Sequence, residues 1–93
     1  MAGNFKISAR KFGGALQIDL AGDFDGSSAF ELIHILEEKG QGVSKAFIHT
    51  AGLKHIYPFG RDIFHKHLRA LNDQEMDIVF SGEKASQLAS RSY

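Results

Sequence analysis

The sequence predicts an α/β domain with a four-stranded mixed sheet and elements in the order β-β-α-β-α-β-α. Three observations carry that prediction. Apolar and polar residues alternate on both sides of Gly13-Gly14, as in a hairpin. Two later stretches repeat apolar residues at helical spacing, and a short apolar run follows each of them, at 45–49 and 76–80. Helices that connect successive strands favour parallel pairing, so the N-terminal hairpin supplies the antiparallel part of the sheet.

In order along the chain, Phe5, Ile7 and Ala9 alternate with Lys6 and Ser8, a half-buried first strand. Leu16, Ile18 and Leu20 alternate with Gln17 and Asp19 in the second, and Gly22-Asp23-Phe24-Asp25-Gly26 ends it. Ser28-Ala29-Phe30-Glu31 has capping-box spacing for the first helix. Ala29, Leu32, Ile33 and Leu36 form its apolar stripe, and Glu37-Glu38-Lys39 closes it before Gly40 and Gly42. Lys45 to His49 reads as a short buried third strand. Pro58 suits a first helical turn, where its missing amide hydrogen is no loss. Ile63, Phe64, His67, Leu68 and Leu71 give the second stripe, ending at Asn72. Met76 to Phe80 is the fourth strand, ended by Ser81-Gly82, and Glu83 to Ala89 a final short helix. The whole is one domain, 1–93, with its core at about 5–89.

Composition narrows the function. With 43% apolar and 24% charged residues, the chain is an ordinary globular one. Zero cysteines remove disulfides, thiolate metal sites and cysteine nucleophiles, and fit a reducing compartment. No apolar run is long enough for membrane insertion. Met1-Ala2-Gly3-Asn4 lacks the charged-then-apolar pattern of a secretion signal, so the expected location is cytoplasmic. A net charge of zero argues against nucleic acid as a partner. Charge is nonetheless segregated: six acidic and no basic residues lie from Asp19 to Glu38. Four basic residues and three histidines against one acid, Asp62, lie from Lys54 to Arg69. These are either solvated faces or the two sides of a docking surface.

The segment His49-Thr50-Ala51-Gly52-Leu53-Lys54-His55-Ile56-Tyr57-Pro58-Phe59-Gly60 reads as the working loop between strand and helix. It holds no carboxylate and no hydroxyl just ahead of its last glycine. Ile56, Tyr57 and Phe59 either seal the core under the helix or form an exposed aromatic anchor ringed by Lys54, His55 and Arg61. His67 lies on the apolar stripe, as a core-edge histidine with one satisfied nitrogen. Arg61, His65 and Arg69 share a helical row, either a solvated face or a ridge that reads anions. His49 and His55, without a third ligand, make a poor metal site. Asp23 or Asp25 forms an acid–base pair with either histidine only if the fold unites them. No Ser-His-Asp spacing, phosphate loop or dinucleotide fingerprint is present, so neither catalysis nor a cofactor is expected.

The order of elements resembles the STAS domain family, to which the anti-sigma-factor antagonists belong. Leu20-Ala21-Gly22-Asp23-Phe24-Asp25 matches the family's apolar strand ending in Gly, acid, apolar, Asp. Phe30-Glu31-Leu32 matches its first helix, and Lys45 to Gly60 aligns without gaps to its third strand, linker and helix-opening glycine. Ile78-Val79-Phe80-Ser81-Gly82 resembles its fourth strand and turn. Two departures matter. His49 stands where antagonists end the third strand with Asp. Tyr57-Pro58-Phe59-Gly60 stands where they carry a phosphorylatable Ser or Thr before Gly, so Phe59 occupies the acceptor position without an acceptor oxygen.

The resemblance implies a non-catalytic cytoplasmic module of bacterial-type signalling, with a switch kinase, an anti-sigma factor or a transporter ATPase as partner. The residues expected at its docking surface are Asp23, Asp25, Lys54, His55, Tyr57, Phe59, Arg61, His65 and Arg69. A small anionic or lipid ligand held between the 49–60 loop and the second helix, in a transporter-associated accessory subunit, is the alternative. Homodimerisation through the hairpin edge or the aromatic loop is open to this sequence.

Overall fold

In the computed structural model, strand β1 (Lys6–Phe12) turns through Gly13-Gly14 into β2 (Ala15–Phe24), pairing antiparallel with Ala9 opposite Ile18. Residues 4–72 and 76–88 are described, the side chains of 69–72 excepted. Helix α1 (Gly26–Lys39) carries the chain to β3 (Lys45–Ile56), and α2 (Pro58–Asn72) carries it to β4 (Asp77–Ser81). A single turn of helix, α3 (Ala85–Leu88), follows. The sheet order is β1-β2-β3-β4, with β2, β3 and β4 parallel. This is the mixed sheet and the element order that the sequence predicts.

Strand order that follows the chain, with right-handed crossovers, leaves both crossover helices on one face of the sheet. Alternation then sorts the side chains. Leu16, Ile18 and Leu20 of β2 and Ala46 and Ile48 of β3 point into the helical layer, where all are buried. They meet Ala29, Leu32, Ile33 and Leu36 of α1 and Phe64 and Leu68 of α2. Phe24, Phe64 and Phe80 stack edge to face at about 6.0 and 6.1 Å between centroids, tying β2, α2 and β4 together.

The structure corrects several boundaries. β1 runs on to Phe12, β2 to Phe24 and β4 to Ser81, while the last helix begins at Ala85 rather than Glu83. Ala89, its expected end, lies outside the described residues, as do the side chains of Leu71 and Arg69. The largest correction concerns the 49–60 segment, which is strand as far as Ile56. Its pairing with β2 shifts register between Asp19 and Ala21 and again between Gly22 and Asp23, so β3 holds one extra residue at each place. Each bulge reverses which side chains face inward. Thr50 and Leu53 are both buried although three residues apart, and the period-two signal disappears. Gly52 sits at the first bulge, where a Cβ would stand 2.7 Å from the Leu20 carbonyl oxygen.

Phe64→Ala removes the central ring of the stack and should lower unfolding free energy by about 3–5 kcal/mol, as read from urea denaturation.

Candidate functional site

The C-terminal ends of β2 and β3 deliver the starts of α1 and α2 to one end of the molecule. Asp25 leaves β2 with extended backbone (φ −117°, ψ −166°) and caps α1 directly. Its Oδ1 accepts from Ser28 N at 3.0 Å and lies 3.0 Å from Ser28 Oγ. Ser28 Oγ is also 3.1 Å from the Asp23 carbonyl oxygen, and Ser28 is buried. Ser28 is therefore not the cap that its spacing to Glu31 suggests. It is the first-turn donor to a cap three residues upstream. Beside this network, Asp23 Oδ1 is buried without a hydrogen-bond partner among the described residues.

Tyr57 joins the two helix starts. Its N–H donates to the Phe24 carbonyl at 2.9 Å and its carbonyl accepts from Arg61 N at 3.0 Å, the first bond of α2. Gly60 then lies flush against Asp25, since a Cβ at Gly60 would stand 2.6 Å from the Asp25 carbonyl carbon and oxygen. With backbone against backbone there, the flanking side chains turn outward. Phe59 is 71% exposed and Tyr57 47% exposed. The Phe59 ring covers Gly26, at 3.0 Å from where a Cβ would be.

One turn further along α1 and two along α2, Phe30, 54% exposed, meets the His67 ring edge to face at 5.8 Å. His67 Nδ1–H donates to the Ile63 carbonyl at 3.0 Å, the satisfied core-edge arrangement its stripe position suggests. Phe59, Ile63, Phe30 and His67 thus line the α1–α2 seam as an apolar ribbon, with Tyr57 at its head. Phe30 was legible only as an aromatic standing off the apolar stripe of α1, a weak signal.

The other expected residues divide. Lys54 and His55 are exposed, and the His55 and Tyr57 rings lie 6.5 Å apart. Arg61 is partly exposed, its Nε 3.7 Å from Asp62 Oδ1. Asp25 is drawn into the α1 cap, and Asp23, half-buried, pairs in register with His55. His65 Nε2 lies 3.1 Å from the Gln87 carbonyl oxygen, so its ring ties α2 to the turn of α3. The Arg69 side chain is outside the described residues. His49 and His55 do not approach each other around a loop: they are level with Asp19 and Asp23, four residues apart on β2, so the strand separates them by about 13 Å. The interval between β3 and α2, where a small ligand was expected, is occupied by Leu53, Ile56 and Phe64. A shallow cleft of about 470 Å³ lies elsewhere, between β1, β2 and Glu31 of α1.

This arrangement is the STAS fold, and solved structures share it. SpoIIAA, an anti-sigma factor antagonist in its unphosphorylated form, matches with a TM-score of 0.61 and 13% identity over 82% of this chain and 70% of its own. A protein named Mglu matches with a TM-score of 0.74 and 16% identity over 83% of this chain, which spans only 19% of that one. Mglu in an L-glutamate binding form at 4.3 M NaCl gives 0.69 and 11%, over 87% of this chain and 27% of its own. The sequence matches no family model and no curated protein.

Asp25→Ala removes the α1 cap and should cost about 1 kcal/mol or more in urea unfolding. Gly60→Ala should cost more than that, because a methyl group cannot enter without parting the two helix starts.

Proposed function

We propose that this domain is a non-catalytic protein-interaction module working in the cytoplasm, and that it docks a regulatory partner through the α1–α2 seam. The single observation that carries this reading is the exposure of Phe59 and Tyr57 at the mouth of a rigid, glycine-pinned junction. Large exposed aromatics held by fixed backbone lose little freedom on binding, which is the character of interface anchors. Phe30 and His67 extend the apolar contact along the seam, and Lys54, His55 and Arg61 give it a basic rim. A partner surface of complementary chemistry is apolar at its centre and acidic at its edge.

The fold shared with SpoIIAA supports a partner of the anti-sigma-factor or switch-kinase kind, with a transporter ATPase the other candidate. Phe59 has no oxygen to receive a phosphoryl group, so its position does not switch by that chemistry. Binding follows the partner's concentration instead.

The double variant Tyr57→Ala, Arg61→Ala, used as bait beside the unaltered domain, should lose the captured partner while its circular dichroism stays the same. Undiminished capture would rule out this surface. Incubation of the domain with the captured kinase and labelled ATP should leave residues 57–60 unlabelled.

A further inference from the structure

Helices cover one face of the sheet, and the other face holds a second surface that the proposed function does not use. Parallel strands are normally buried on both faces. Here β2, β3 and β4 present Gln17, Asp19, Phe47, His49 and Val79 on the uncovered side, and Val79 is 37% exposed. Several polar groups there are already paired within the face. His49 Nδ1 lies 2.6 Å from Ser81 Oγ, and Lys45 Nζ is 3.9 Å from Asp77 Oδ2 and 5.9 Å from the Phe47 ring centroid.

Two of the groups not paired in this way stand next to each other. With the Ser81 hydroxyl assigned as donor to Nδ1, the neutral His49 ring carries its proton on Nε2, a donor without a partner among the described residues. Asp19, in register beside His49, makes no hydrogen bond or ion pair among the described residues. An imidazole donor and a carboxylate thus stand side by side, unpaired, on adjacent strands.

We propose that this face associates with the same face of a second copy, about a two-fold axis running along the strands between β2 and β3. Such an axis exchanges β2 with β3 and β1 with β4 while keeping each row level. The register then fixes the contacts: His49 meets Asp19 of the second copy, Phe47 meets Gln17, and Val79 meets Arg10. Symmetry makes the His49–Asp19 contact twice. An axis across the strands at that row would instead set Asp19 on Asp19 and His49 on His49. Complementarity of donor and acceptor therefore favours the first axis over the second.

Four strands about 4.8 Å apart, with about seven residues each, give a footprint of roughly 19 by 23 Å. That is about 900 Å² over both copies, below the size of stable specific interfaces, so the dimer is weak and forms only at high concentration.

Sedimentation equilibrium of the full chain, from about 1 μM to about 1 mM, tests this directly. The apparent mass should climb from 10.3 kDa toward twice that value. Val79→Glu faces Arg10 of the second copy and should tighten the dimer. Val79→Lys faces the same arginine and should loosen it about tenfold or more. Loss of apolar area alone would weaken both variants, so opposite signs are the signature of this axis. A monomer at every concentration, or two variants that shift the same way, would overturn the proposal. Phe59→Ala should leave the dimer intact; its loss there would assign association to the helical seam instead, and would leave the partner reading to be judged by its own capture experiment.

Discussion

Everything at the working end of this domain depends on one close approach, the backbone of Gly60 against the backbone of Asp25. Two helices that begin at neighbouring strand ends normally keep side chains between them. Here none intervenes, and the starts of α1 and α2 touch directly. Asp25 is fixed from the other side by its bonds to Ser28, and Tyr57 is fixed by its bond to Phe24. The junction is consequently tied to the sheet through main-chain atoms. Tyr57 and Phe59, which flank Pro58 beside it, are excluded from the interior by that same closeness. Their exposure is the geometric result of a tight joint rather than of a loose loop.

Below the joint the core follows simpler rules. One face of each strand is apolar, both crossover helices lie on that face, and three rings join the layers edge to face. The division of labour is clear in the charged residues as well. Asp25 and His65, which look on paper like surface groups, are occupied in holding α1 and α3 in place. Lys54 and His55 stay exposed and Arg61 partly so, with no comparable task inside the fold.

The sequence made the first half of this architecture legible. Strict alternation in Leu16, Ile18 and Leu20 and the helical spacing of Leu32, Ile33 and Leu36 survive into the structure because each element stays regular over those residues. The second half of β3 was illegible for a physical reason: each of its two bulges inverts the inward set, so Thr50, Leu53 and Ile56 follow no fixed period. The start of α1 was misplaced because Ser28 and Glu31 have the spacing of a cap. The helix begins as soon as the strand ends, which puts Asp25 within reach of Ser28 N first. As for the site, Tyr57 and Phe59 could be named from the sequence but not placed in or out of the core, and Phe30 was passed over. Exposure of an aromatic depends on what packs beside it, and the Gly60–Asp25 approach has no sequence pattern of its own.

The paired bulges also divide β3 into two mechanically different lengths. Upstream, Lys45 to His49 is locked in register on both sides by β2 and β4; downstream, Leu53 to Ile56 pairs with β2 alone. A bulge bends its strand, so the two lengths run in different directions. The distal tip therefore owes its placement to β2, to the buried Leu53 and to the close approach at Gly52, and the joint at Gly60 inherits its aim from those few contacts.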